Sequence, residues 1–308
     1  VEDRDTGMIL TVTANPALDV SYSVDRLRPG QTHRIGAVFE RAGGKGFNVS
    51  RVLHDQGIST RALGPVGGIL GDSLRADLLD AGLPHDLLPV AAATRMTIAV
   101  LADEATMFNE PGGPLSAFDW SRLQDLVDSY LPRTEVLVCS GSLPLDAPES
   151  SYADFVTLAA SHGVPTVVDV GGAPLRAAAE AGVAIVKPNA EELAAAVGEG
   201  DPLIGARSLH SLGARAVVVS LGADGLLAVT SEGEWRATLP DPVVGNPTGA
   251  GDAAVAALAD GLRRDLPWPD RLRLAVTWAG AAVAAPVAGS VDHDVLAELF
   301  DQVTVAAL

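Results

Sequence analysis

Lysine is nearly missing from this chain of 308 residues: Lys45 and Lys187 are the only two, and the other nineteen basic side chains are arginines. Positive charge is scarce as a whole. The 21 Lys and Arg face 39 Asp and Glu, and the formal net charge of −18 argues against a nucleic-acid or anionic-membrane partner. It does not argue against an anionic small molecule, because screening over roughly 8 Å at physiological salt lets a few local cations govern a pocket. Cysteine occurs once, at Cys139, which excludes an intramolecular disulfide and suits a reducing, cytoplasmic setting. Flanked by Val136, Leu137 and Val138, it reads as a core residue on a buried strand. The acidic start, Val1 to Gly7, has no apolar signal-peptide segment, so secretion is not expected. The strongly apolar run from Leu274 to Ala285 contains Thr277, stops at Pro286 and falls short of the ~20 residues of a membrane span. A buried helix is expected there. Also missing are the Walker spacing and an early G-x-G-x-x-G after the first strand, the phosphate-binding turns of P-loop enzymes and nicotinamide dehydrogenases.

What is present is ample apolar content, 48%, for one large α/β domain over residues 8–308. Short apolar runs at Met8–Ala14, Val136–Cys139, Thr166–Val170, Val183–Val186 and Val217–Ser220 read as strands. Helical patterns lie near Asp72–Ala81, Asp119–Leu131, Ser151–His162, Asp270–Ala285 and Asp292–Gln302. Strands separated by helices imply mostly parallel pairing with right-handed crossovers, hence a doubly wound α/β fold with helices on both faces. Two insertions break that rhythm. Val20–Val24 with His33–Glu40, and Met96–Leu101 with Ala105–Phe108, alternate polar and apolar residues with no helix between them. They are expected to form a small β-sheet lid contributed by about 17–41 and 93–112.

Glycine-rich segments cluster where strands end. In Asn246-Pro247-Thr248-Gly249-Ala250-Gly251-Asp252 a glycine turn opens into a small-residue helix, leaving unpaired N–H groups at the positive dipole end beside a carboxylate. A plain helix start with a dipole-favouring Asp252 would look the same. Ala42-Gly43-Gly44-Lys45-Gly46-Phe47-Asn48 allows close backbone approach to a ligand at another helix start, or is a flexible turn. Asp19 follows the first strand, where a polyol hydroxyl or only solvent could meet it. Asn189 and Glu192 have capping-box spacing, and one of the two lysines, Lys187, stands just before them. Leu221-Gly222-Ala223-Asp224-Gly225 also reads as a hairpin turn.

Taken together, in order and spacing, these segments resemble the ribokinase-like PfkB family of carbohydrate kinases from Thr11 to about Leu299. The matching stretches are Asn15-Pro16-Ala17-Leu18-Asp19, Gly43-Gly44-Lys45-Gly46, Ser140-Gly141-Ser142-Leu143-Pro144, Lys187-Pro188-Asn189 with Glu192, Ser220-Leu221-Gly222, and Gly249-Ala250-Gly251-Asp252. Several of them resemble the branch acting on ketohexose phosphates, which includes 1-phosphofructokinase, tagatose-6-phosphate kinase and the minor 6-phosphofructokinase. Lys45 leans toward the first.

The resemblance implies ATP and Mg²⁺ as cofactors and a sugar phosphate as acceptor. It implies Asp252 as catalytic base, with the N–H groups of Gly249, Ala250 and Gly251 stabilising the transferring phosphoryl. Asp19, Gly43, Gly44 and Asn48 would bind sugar hydroxyls, and Lys45 and Arg95 the substrate's own phosphate. Lys187, Ser220, Gly222 and Gly225, together with Gly249 and Gly251, would hold the nucleotide, while Asn189 and Glu192 organise the metal through phosphate or water. Arg34 on the lid could reach across in a homodimer formed through the lid. The sequence departs from the family at Pro247, where threonine is usual, so the turn loses an N–H and a hydroxyl. Two other classes are weighed against the kinase. A non-catalytic sugar-phosphate sensor would not need Asp252, and a dehydrogenase lacks its glycine fingerprint.

Overall fold

The computed structural model describes residues 7–102 and 105–308. The acidic start up to residue 6, and residues 103–104 of the second lid insertion, lie outside the described residues. In chain order the strands are β1 (Met8–Val12), β2 (Ala17–Ser23), β3 (Ala37–Gly43), β4 (Thr60–Val66), β5 (His85–Pro89), β6 (Arg95–Leu101) and β7 (Ala105–Asn109). They continue with β8 (Thr134–Ser140), β9 (Thr166–Asp169), β10 (Ile185–Val186), β11 (Ala216–Ser220), β12 (Leu226–Thr230), β13 (Gly233–Thr238) and β14 (Thr304–Ala307). The helices are α1 (Lys45–Asp55), α2 (Gly68–Asp80), α3 (Ala117–Tyr130), α4 (Ser151–Ser161) and α5 (Ala173–Glu180). After them come α6 (Ala190–Val197), α7 (Pro202–Leu212), α8 (Ala250–Arg263), α9 (Trp268–Ala284) and α10 (His293–Leu299).

Ten strands form one sheet in the order β14-β13-β12-β11-β10-β9-β8-β1-β4-β5, parallel from β11 to β5 and antiparallel from β11 to β14. Alternation along the central strands sorts side chains into two cores. Ile9, Val136, Val138, Val167, Ile185 and Val218 face the layer of α1, α8 and α9, while Leu10, Val12, Leu137, Cys139, Val168 and Val217 face the layer of α3 to α7. The expected doubly wound fold is therefore present, with Cys139 in the core and its thiol pushed well above the usual range by burial. The apolar run ahead of Pro286 lies in α9, largely buried, and no helix among the described residues is long and apolar enough to cross a membrane. In α8, Ala253 to Ala259 are all buried, and their small side chains let this helix lie close beneath the sheet between α1 and α9.

The second sheet, β3-β2-β6-β7, is the lid. The two hairpins are joined because β2 pairs in parallel with β6. Its strands differ from expectation in position: β2 starts at Ala17 and β3 at Ala37, since pairing ends at Ser23↔Ala37 and the stretch around Pro29-Gly30 has no ladder. This register sets Asp19 directly across from Arg41 on one side and Thr97 on the other. Two residues further on, Phe39, Ser21, Ala99 and Met107 form the next row of the same face. The Gly222–Asp224 turn is a tight 3-10 element that links antiparallel β11 and β12, so the hairpin reading of that segment holds. Because β8, β9, β10 and β11 run in parallel side by side, Ser140, Asp169, Lys187 and Ser220 come to one rim of the sheet.

Candidate active site

The glycine turn reaches α8 through Gly249, its N-cap, at φ +90 and ψ −8. A Cβ at Gly249 would stand 2.8 Å from the Ala288 Cα, so backbone conformation and packing both demand glycine. The Ala253 N–H closes the first helical bond onto the Gly249 carbonyl at 2.9 Å, and the Ala250 N–H turns back to the Pro247 carbonyl at 3.2 Å. Gly251 and Asp252 sit between them, in the first turn, where the helix offers their N–H groups no carbonyl. Pro247 thus takes part through its carbonyl, and the Thr248 N–H is held by Asn246 Oδ1 at 3.0 Å.

Asp252 is 6% exposed and is met by α1. Asn48 Nδ2 donates to Asp252 Oδ2 at 2.9 Å. Burial, aided by the negative Asp169, raises the Asp252 carboxyl to about 7, against the pull of Lys45, Lys187 and the Asn48 hydrogen bond. That value suits a base that works near neutral pH.

Asp169, at the end of β9, has no role in the sequence reading, yet it organises the charges of the rim. Its carboxylate contacts Lys45 Nζ at 3.3 Å and Lys187 Nζ at 3.6 Å, and it accepts from Ser140 Oγ at 3.1 Å. Burial alone would raise its pKa, but Lys187 and Lys45 hold it below the ordinary aspartate range. Lys45 also reaches Glu192 Oε1 at 3.5 Å, and its ammonium is stabilised first by Asp169. The one available sequence signal was position: Asp169 closes a parallel strand, as Asp19 follows one.

Lys187 is 3% exposed, and a Cβ at Gly251 would lie 3.5 Å from its Nζ. This lysine therefore stands beside the first turn of α8. Asn189 and Glu192 form a complete capping box at α6: the Glu192 N–H donates to Asn189 Oδ1 at 2.7 Å and the Asn189 N–H to Glu192 Oε2 at 2.9 Å. Among the described residues no group of three or more His, Cys, Asp or Glu could hold a metal ion. A divalent ion here would need most of its ligands from phosphate and water, which is how Mg²⁺ is commonly bound, with Glu192 and Asp169 the carboxylates within reach.

Two open spaces flank this centre. Beneath the lid, a cavity of about 160 Å³ is lined by Asp19, Arg41, Asn48 and Thr97 together with Asn246 and Thr248. Asp19 lies over Gly43, where any Cβ would collide with its carboxylate, and its own carboxyl is raised to about 6 by burial, opposed by Arg95, Thr97, Arg41 and Arg51. On the far side, Asn189, Ser220, Leu221, Gly222 and Arg236 line an open groove. Gly225 does not line it but closes the turn, its carbonyl accepting from the Leu221 N–H at 2.9 Å.

The two residues expected at a substrate phosphate are not in the lid cavity. Lys45 turns to Asp169 and Glu192, and Arg95 spans the root of the lid, donating from Nε to the Asn15 carbonyl at 3.2 Å and from Nη1 to that of Glu110 at 2.8 Å. Arg34 is exposed and outside the strands. The cation that does line the cavity is Arg41, which the sequence reading passed over.

The sequence model of pfkB family carbohydrate kinases matches residues 12–293. Among solved structures, phosphofructokinase-2 from Escherichia coli in complex with potassium is 29% identical with a TM-score of 0.90, covering 96% of this chain and 99% of that one. The same enzyme in complex with fructose-6-phosphate gives a TM-score of 0.88 at 29% identity, over 96% and 99% of the two chains. A possible 1-phosphofructokinase of Thermotoga maritima is 25% identical with a TM-score of 0.89, over 98% and 99% of the two chains. Ribokinase of Arabidopsis thaliana, complexed with ribose and ATP, shares the fold at 22% identity and a TM-score of 0.75, over 96% and 98%. The chain belongs to the pfkB family of carbohydrate kinases, phosphotransferases that act on a sugar hydroxyl.

Proposed function

We propose that this protein phosphorylates fructose 1-phosphate on its 6-hydroxyl with ATP, forming fructose 1,6-bisphosphate. The observation that carries the kinase chemistry is the buried Asp252 carboxyl, raised to about 7 at the first turn of α8 and held by Asn48 beside the lid cavity. With the sugar under the lid against Asp19, Gly43, Gly44 and Asn48, Asp252 accepts the proton of the attacking hydroxyl. That oxygen bonds to the γ-phosphorus, the bond to the ADP oxygen breaks, and the leaving charge stays on ADP. The N–H groups of Gly249, Ala250 and Gly251 stabilise charge on the transferring group, that of Ala250 once it leaves the Pro247 carbonyl, and Lys187 adds a buried cation beside them. The nucleotide occupies the groove of Ser220 and Gly222, with Gly225 shaping its turn. Asn189 and Glu192 would hold Mg²⁺ through phosphate or water, and the ion would supply neutralisation of the phosphate charge.

Fructose 1-phosphate is favoured by Lys45 in the glycine motif. It would leave its parking place on Asp169 and Glu192 to meet the substrate phosphate together with Arg95. Fructose 6-phosphate is a second reading, favoured by the higher identity to phosphofructokinase-2. Comparing kcat/KM for fructose 1-phosphate, fructose 6-phosphate and tagatose 6-phosphate decides between them, and turnover of none would overturn the phosphosugar assignment. Equal background activity in wild type and Asp252→Ala would instead make the protein a sensor. Exposed Val38 and Phe108 on the lid, each 55% accessible, support a homodimer through that sheet, and a monomer by light scattering at micromolar concentration would refute it.

A further inference from the structure

Arg41 stands on β3 across from Asp19 and lines the lid cavity, but part of its guanidinium is spent elsewhere. Nη1 donates to the Ala288 carbonyl at 2.6 Å and contacts Ser290 Oγ at 3.4 Å, residues some 247 positions away in the chain. The loop it grips, 286–290, is the one that backs the catalytic centre. Ala288 is the residue a Cβ on Gly249 would strike, at 2.8 Å, and a Cβ on Gly289 would lie 3.1 Å from Asn48 Oδ1. One loop therefore touches the lid through Arg41, the sugar side through Asn48 and the transfer turn through Gly249.

We infer that Arg41 is a positioning residue, which ties the inner face of the lid to the loop behind Gly249 so that filling the sugar cavity and shaping the transfer turn are linked. The inference rests on the kinase reading above. The tie is mechanical: a charged donor on a backbone carbonyl makes a short, strong hydrogen bond, and the carbonyl it holds belongs to the residue packed on Gly249. Losing it frees the loop while leaving Asp252, Asn48 and the glycines in place.

The test compares wild type, Arg41→Ala and Arg41→Lys, by steady-state kinetics and by amide hydrogen exchange of the peptide spanning 249–252 with and without each of the three ketohexose phosphates. The expected result is a fall in kcat on the order of tenfold for Arg41→Ala, with KM for sugar phosphate and for ATP each within about threefold of wild type. Arg41→Lys, which keeps a donor for the Ala288 carbonyl, should recover part of kcat. A sugar phosphate that binds should slow exchange over 249–252 in wild type, and this protection should be lost in Arg41→Ala. A rise in sugar-phosphate KM at unchanged kcat would overturn the inference and make Arg41 a direct ligand of the substrate anion. Retained protection in Arg41→Ala would overturn it as well. Wild type that turns over none of the sugars defeats the phosphosugar assignment instead, and the exchange rates of the sugar-free proteins then test the tie alone. Arg41 lies outside the three hydrophobic clusters, so the variants should fold, and if Arg41→Ala does not, Arg41→Gln enters the same comparison.

Discussion

Asn48 on α1, which lines the lid cavity, donates to the Oδ2 of Asp252 on α8 at 2.9 Å, a bond between residues 204 positions apart that holds the carboxylate in place. The bond also favours the charged form of Asp252, whose carboxyl burial pushes to about 7. A hydrogen bond to a charged group contributes about 1.5–3 kcal/mol, or about one to two pH units in acidity. Asn48→Ala should therefore move the acid limb of the kcat/KM profile from near 7 upward by about that much and depress activity at pH 7 roughly five- to fiftyfold. A pH–rate profile for the variant that keeps the wild-type acid limb would show that Asp252 does not carry this ionisation.

Asp169 acts on the same group with the opposite sign. Its negative charge raises the Asp252 carboxyl, while the lysines it pairs with lower it. Asp169→Asn removes the one effect and leaves Lys45 and Lys187 to act alone, so the acid limb should move below its wild-type position. The variant also leaves Lys187, 3% exposed, without its partner. Breaking a buried pair typically costs about 3–5 kcal/mol, so denaturant unfolding should show a clear loss of stability. An alkaline shift, or unchanged stability, would contradict this account of the rim.

How far the chain itself discloses these features depends on how local each one is. Gly249 to Asp252 and Gly43 to Asn48 lie in short segments whose glycines mark close backbone approach, so both could be picked out in order. Five of the seven strands of the parallel sheet, β1 and β8 to β11, show as apolar runs because both their faces are buried. By contrast β4, with Arg61, Gly64 and Pro65, and β5, with His85 and Asp86, carry no such run and are not expected from the sequence. Asp169 is a single carboxylate among 39 acidic residues, and its importance comes from two lysines that arrive from β10 and the start of α1. Arg41 is harder still to see, since its partners are set by the β2–β3 register and by a loop near the other end of the chain. The inward turn of Lys45 is set in the same way, by carboxylates 124 and 147 positions distant.

Arg95 links the lid to the Asn15 and Glu110 carbonyls and lowers the pKa of Asp19 through its charge. If it also meets the substrate phosphate, Arg95→Ala should raise KM for the sugar phosphate by at least about tenfold, the loss of one charge-assisted pair of about 1.5–3 kcal/mol. KM for ATP should stay within about threefold. Equal losses for both substrates would mean that Arg95 only shapes the lid.

The same burial that equips Asp252 as a base should make it a cost to folding. Its folded-state value, about 7, lies above the ordinary 3.8, so the folded protein holds this proton more tightly than the unfolded chain does. Below pH 3.8 both states are protonated and the site costs nothing. As pH rises from 3.8 to about 7 the unfolded chain ionises first, and stability falls across that window and then levels off. Asp19, raised to about 6, adds a contribution of the same sign over a narrower range. Asp252→Asn keeps the shape and removes the ionisation, so it should abolish phosphoryl transfer while raising the unfolding temperature at pH 8, by roughly 1.5 °C per kcal/mol recovered. The advantage should shrink steadily toward pH 4.5. A variant that is inactive but no more stable than wild type at pH 8, or equally stabilised at both pH values, would show that the Asp252 carboxylate is not held in the folded protein against its own desolvation.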